Sequence, residues 1–367
     1  MYKTAIENSN VAATNAVGER ILSLHSFRFV FAMMIFFHHI EINGVRIFDA
    51  GGSCAVTFFM ILSGFLLTLG YGEKVLKPQF SFKPYITKRL MHIYPVHLLM
   101  LLIFILAFHK YALANIAPLL PNMLLLQSWI PDKIFYFSFN GVSWYLSDTI
   151  LFYLLFPTII RCIYSLKRGG ALLLFAAIIA CYFIAQSFVP DDRVNDFIYI
   201  SPLFRLVDFI IGVALCLLYK QIRAHYGNQI CSMSYFAKST IECAVIALMT
   251  ITIIYFNAVE ERFATDSYFW IPTLLLILTF ALMNRDGGVF TSLLSCKIPI
   301  WLGSISLEFY IVHWIALMLV KYLLFRLNIA ISPYYSMVLY LGASLILSIV
   351  IKRYFNPLIA KISHTRK

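Results

Sequence analysis

Charge is what this chain has least of. Of its 367 residues only 13% are Asp, Glu, Lys or Arg, about half the share of an ordinary soluble domain, while 61% are hydrophobic. Mean hydropathy is +0.83. That composition argues against a water-soluble fold, and no stretch is polar enough to form a second, soluble domain. Paired cysteines are missing as well. The seven cysteines show no CxxC spacing, and most lie in or beside apolar runs, where a thiol behaves as a small hydrophobe. Neither a disulfide framework nor a metal site is expected. No internal repeat is visible, which argues against an inverted-repeat transporter. Nor is there a basic stripe: the net charge of +12 is dispersed along the flanks of apolar runs. This is the pattern of topogenic charge, so the expected partner is the lipid bilayer and no nucleic acid is expected.

What is present is a series of apolar runs of spanning length, each near twenty residues. Ten can be placed, at 22–43, 53–71, 93–109, 144–164, 170–189, 202–219, 239–257, 268–283, 300–322 and 334–351. The fold expected is an all-α polytopic integral membrane protein with about ten transmembrane helices. One membrane domain at 22–351 lies between an N-terminal tail at 1–21 and a basic C-terminal tail at 352–367. The first run has no small-residue cleavage site behind it, so it is expected to be retained. With the N-terminus cytoplasmic, about 20 of the 29 lysines and arginines fall in inside segments, among them Lys3, Arg20, Arg285, Arg366 and Lys367. About seven fall outside, and Arg28 and Arg205 lie within apolar runs. Both termini are therefore expected in the cytoplasm. The proline-bounded stretch Leu119 to Ile130 is too short to span and is expected to be external or re-entrant.

Ionisable groups inside spans are expensive and are functional candidates by default. Arg28 and His39 in the first run lie eleven residues apart, within roughly 20° of one helical face and about 16 Å apart along the axis. Histidine suits general-base removal of a proton from an attacking hydroxyl, and arginine suits holding an anion. An interfacial anchor and a packing histidine would give the same spacing.

Five further patterns run along the chain in order. AVTFFMILSGFLL holds Ser63, Gly64 and Phe65; KRLMHIYP holds Lys88, Arg89, His92, Tyr94 and Pro95; SWYLSDTILFYLLFP holds Trp144, Asp148 and Pro157. PLFRLVDFIIG holds Arg205, Asp208 and Gly212, and ISLEFYIVHW holds Glu308, Tyr310 and His313. Together with the arginine and histidine of the first run, these resemble the acyltransferase 3 family of bacterial membrane O-acyltransferases over nearly the whole chain. The resemblance implies transfer of an acyl group, usually acetyl, from cytoplasmic acyl-coenzyme A to a hydroxyl of a glycan or glycolipid of the cell envelope. It implies residence in the inner, cytoplasmic membrane. By the same resemblance His39 is the catalytic residue with Arg28 in support, and Lys83, Lys88, Arg89 and His92 form a donor-binding basic loop. Trp144, Asp148, Arg205, Asp208, Tyr310, His313 and Glu308 are candidates for the substrate cavity. Two positions depart from the family pattern: His92 stands where an arginine is usual, a weaker and pH-dependent phosphate contact, and the glutamate after the tryptophan is absent, with Asp148 nearby.

Plainer readings accompany these residues. Lys88 and Arg89 suit a topogenic helix end, Arg205 and Asp208 are spaced for a local ion pair, and His313 suits a satisfied core histidine. Glu308 and His313 are five apart and do not share a face. Ser63 beside Gly64 suits close helix packing rather than an acyl-serine. The competing functional reading is a transporter or flippase exporting a glycan or small solute through the same charged residues, and a third is a non-catalytic subunit of a polysaccharide assembly. A homo-oligomer is compatible with the sequence.

Overall fold

The computed structural model describes residues 21–284 and 286–364. The expected N-terminal tail except Ile21, with Lys3 and Arg20, lies outside the described residues, as do Arg285, Arg366 and Lys367. Ten apolar helices carry the fold: α1 Leu22–His38, α2 Gly51–Val75, α3 Phe82–Ala107, α4 Trp144–Ser165, α5 Arg168–Ser187, α6 Pro202–Ser232, α7 Tyr235–Ile254, α8 Trp270–Leu282, α9 Ser306–Arg326 and α10 Pro333–Val350. Eight are long and apolar enough to cross a bilayer, while α1, and α8 with the turn before it, are shorter. The protein is an all-α polytopic membrane protein, and each of the ten expected runs coincides with one of these helices. Helices dominate because hydrocarbon offers no partner to an open backbone.

The central contact is between α2 and α6. Gly64 faces the Phe209 carbonyl oxygen and Gly212 faces that of Ile61, each so closely that a Cβ could not be accommodated. These reciprocal glycines let two backbones touch, the small-residue device of membrane helix pairs. Across this contact Arg205 and Asp208 reach Asp266 in the loop before α8. Arg205 pairs with Asp208 at 3.0 Å and Asp266 at 2.8 Å, and all three are fully buried. Trp270 Nε1 donates to Asp208 at 2.6 Å and Tyr182 Oη to Asp266 at 2.7 Å, so the cluster ties α5, α6 and α8 together.

Three local features differ from the sequence reading or refine it. The expected basic loop is helical: α3 begins at Phe82, so Lys83, Lys88, Arg89 and His92 lie on its first three turns. Long basic side chains let a helix run on past its apolar part. The stretch after α3 is broken into Leu119–Met123, a 3₁₀ turn at Gln127–Trp129 and Lys133–Tyr136. Several of its polar groups find partners: Asn122 Nδ2 donates to Ser138 Oγ at 2.6 Å, Gln127 Nε2 to Ser143 Oγ at 3.0 Å, and Tyr94 Oη to the Met123 carbonyl at 2.7 Å, while Gln127 Oε1 is buried without one. The stretch is buried on one side only: Asn122, Gln127 and Ser128 are enclosed by protein, while Leu120, Leu124 and Trp129 are exposed. After α1, a hairpin of β1 (Glu41–Ile42) and β2 (Val45–Arg46) turns at Asn43 and Gly44, both with positive φ, as a two-residue Asn-Gly turn requires. The hairpin folds Arg46 back beside Asp49, 3.2 Å away.

Candidate active site

Helices α1, α2, α4 and α9, with α3 closing the first, enclose two cavities set end to end. The first, about 200 Å³, is lined by Arg28, Ser63, Arg89, His92, Tyr145, Tyr153 and Tyr310. The second, about 260 Å³, is lined by His38, His39, Arg46, Trp144, Tyr199, Tyr310 and Trp314. It continues, through the shared His38, Arg46, Phe137 and Tyr199, into a mouth of about 500 Å³ that also meets Asp49, Asn195, Asn257 and Glu261. Among the described residues Tyr310 alone lines both the first and second cavities. Its hydroxyl donates to the Val142 carbonyl at 2.8 Å, and its ring lies 5.3 Å from Tyr145 and 6.3 Å from Phe59. An aromatic septum thus separates the two spaces.

Arg28 lies on α1 and His39 caps its C-terminus, but the two do not share a cavity. Arg28 lies on the wall of the first and His39 at the inner end of the second, so the shared face inferred from spacing is divided by Tyr310. In the first cavity the Arg89 guanidinium stands 4.5 Å from the Tyr71 ring centroid and 5.8 Å from that of Tyr153, and its Nε has no hydrogen-bond partner. A guanidinium stacked on rings with an unfilled N–H is prepared for an anion. His92 also lines this cavity, whereas Lys83 and Lys88 are exposed and do not.

In the second cavity the His39 ring lies 5.4 Å from that of His313, nearly parallel, and 4.9 Å from Trp314. His313 Nδ1 lies 2.8 Å from the Tyr310 carbonyl, which can only accept, so Nδ1 carries the proton. The neutral ring then offers a lone pair on Nε2, which is buried without a partner. His38 Nδ1 likewise donates to the Asp49 carbonyl at 2.8 Å. The His39 and His313 rings meet face to face, so His313 steadies the His39 imidazole by stacking.

The remaining candidates divide. Trp144 lines the second cavity. Asp148, one turn along α4, is fully buried with both oxygens unpartnered and lines neither cavity. Arg205 and Asp208 belong to the ion cluster described above. Glu308 is buried at the start of α9, where Oε1 accepts from Lys352 at 3.2 Å and Asn356 at 2.7 Å, away from His313. Ser63 Oγ donates to the Phe59 carbonyl at 2.7 Å while touching the first cavity. The sequence reading missed Tyr145, Tyr153 and Trp314 as lining residues, although two of them adjoin residues it singled out. It also missed Asp266 and Lys352, which no motif marks.

A helical membrane protein with a cation-lined cavity and a histidine-lined cavity back to back is the class these observations define. The chain belongs to the acyltransferase 3 family, whose acyltransferase-domain model matches residues 21–353. Among curated proteins it is similar to Acyltransferase MdmB of Streptomyces mycarofaciens, 27% identical over 284 residues that cover 72% of this chain and 68% of that protein. It is also similar to Nodulation protein 10 of Rhizobium leguminosarum bv. viciae, 26% identical over 179 residues, 44% of this chain and 47% of that protein. No solved structure matches.

Proposed function

We propose that the protein transfers an acyl group, acetyl in the simplest case, from acyl-coenzyme A to a hydroxyl of a glycan or glycolipid. The observation that carries this reading is the division along α1: Arg28 lines a cavity with Arg89 and His92, His39 at the helix C-terminus lines a cavity with Trp144 and Trp314, and the two meet at Tyr310. The first suits a phosphate-bearing donor. The second, with tryptophans, tyrosines and asparagines leading to its mouth, suits a sugar, which offers hydroxyls for hydrogen bonds and apolar faces for stacking. Membership of an acyltransferase family favours this reading over a transporter, and the septum at Tyr310 also speaks against an open passage.

In this mechanism the donor's phosphates rest at Arg89 and His92, and its acyl arm extends past Arg28 toward Tyr310. His39 takes the proton of the acceptor hydroxyl as its oxygen attacks the thioester carbonyl carbon. The carbon–sulfur bond breaks, and the proton ends on the departing thiol, so no outside acid is consumed. The His313 ring, stacked on His39, holds that imidazole in place, and Arg28 holds the donor arm. The basic bias of alternate loops supports a cytoplasmic donor side, cytoplasmic termini and an inner membrane of bacterial type. Lys83 and Lys88 would act as distant positive charge rather than as contacts.

Replacing His39 with alanine tests the assignment in a transfer assay with purified protein. Loss of a general base lowers turnover by roughly 100- to 10,000-fold. Full transfer by folded His39→Ala protein would remove His39 from the mechanism.

A further inference from the structure

We propose that the protein carries a second anion-binding site, separate from the Arg89 cavity, for a group of the phosphate class. A cavity of about 250 Å³ lies between the end of α6, the start of α7 and the end of α8, lined by Arg223, Asn228, Lys238 and Asn284, with Asp286 at its rim. It shares no lining residue with the cavity that holds Arg28 and Arg89. Asn284 Oδ1 accepts from the Leu22 N–H at 3.0 Å, which places the site beside the start of α1. Arg28 lies about 9 Å further along that helix.

Lys238 points to the ligand. The residue is only 5% exposed, and its ammonium donates to the Cys231 carbonyl at 2.9 Å. One backbone oxygen does not neutralise a buried cation, and an ammonium has three donors. No carboxylate among the described residues pairs with it. Glu242, one turn along α7, directs its oxygens instead to the Gly288 and Phe290 N–H groups, each at 2.8 Å, and to Thr291 Oγ1 at 2.6 Å. Lys238 also stands in the first turn of α7, where the helix dipole is positive and a bare cation is disfavoured. Burial and dipole therefore act in the same direction, and an anion in the cavity relieves both.

Arg223 supplies a second positive charge on the cavity wall, its guanidinium steadied by the Tyr219 hydroxyl at 2.6 Å. The exposed Asp286 offsets one of the two charges, so the lining remains cationic. Two cations and two carboxamides around a space of this size suit a phosphate monoester or diester. Such a group arrives either on an anionic lipid at the membrane surface or on a soluble phosphate compound.

The test uses the full chain in a zwitterionic detergent and measures binding by native mass spectrometry and thermal shift. The probes are phosphatidylglycerol, phosphatidylcholine and inorganic pyrophosphate, and the proteins are wild type, Lys238→Gln, Arg223→Gln and Arg89→Ala. One anionic probe is expected to bind wild type and Arg89→Ala alike and to bind both site variants roughly tenfold more weakly, the scale of a lost charge-assisted contact. Preference for phosphatidylglycerol over phosphatidylcholine identifies a lipid headgroup, and binding of pyrophosphate identifies a soluble ligand. Arg223 is exposed, so its variant reports on the site even where Lys238→Gln fails to fold. Equal binding by wild type and Arg223→Gln, or no binding of either anionic probe, overturns the proposal. So does equal loss in Arg89→Ala, which would merge the cavity with the donor site. The readout is binding, so a failed transfer assay leaves this result untouched.

Discussion

Arg205 and Arg89 both place a guanidinium in an apolar bundle, and the bundle treats them differently. Arg205 is enclosed: Asp208 and Asp266 pair with it, the Tyr199 and Thr265 carbonyls accept from it at 2.8 and 3.1 Å, and the Tyr199 ring lies 5.0 Å away. Arg89 is half-buried among tyrosine rings with its Nε unfilled, at the edge of a cavity. A charge inside a membrane protein is a functional candidate in either setting. The partners tell the two apart, since a saturated guanidinium holds helices together whereas one facing empty space is available to a ligand.

Removing the enclosed cation should have the largest effect on folding. Arg205→Leu leaves two carboxylates buried together and is expected to cost about 3–5 kcal/mol, the scale of breaking a buried ion pair. It would be read as a lost monodisperse peak or a sharply lowered melting temperature in detergent. Arg89→Ala should remain folded, and equal destabilisation by the two would break the contrast. Gly212→Ala comes next, because its methyl would press on the Ile61 carbonyl. Overpacking of this kind costs about 1–3 kcal/mol, with a lower melting temperature and unchanged donor affinity in the folded fraction. The smallest effects sharpen the open arginine's side of the comparison. His92→Arg adds a permanent charge to the first cavity and should tighten acetyl-coenzyme A binding by roughly three- to tenfold. Lys88→Ala, at an exposed site off the cavity, should change that affinity by less than about twofold.

Hydropathy made the ten helices legible, because a spanning segment must be apolar over nearly its whole length. It could not show that α3 begins at Phe82, since Lys83, Lys88 and Arg89 break the apolar pattern while leaving the helix intact. The Arg205–Asp208 pair was legible from a three-residue spacing. Asp266 was not, because it reaches that pair only through the folding of a distant loop. The spacing of Arg28 and His39 gave a common face, but the septum that divides it comes from α9, nearly three hundred residues on. Sequence periodicity describes one helix, whereas a cavity is a property of several.

The central claim, that the two cavities are the donor and acceptor halves of one transfer route, is tested most directly by calorimetry of acetyl-coenzyme A binding to wild type, Arg89→Ala and His39→Ala. Loss of a charge-assisted contact should weaken binding in Arg89→Ala by roughly ten- to a hundredfold, while His39→Ala binds as wild type does. Absence of binding by folded wild type, or equal weakening in the two variants, would contradict the account.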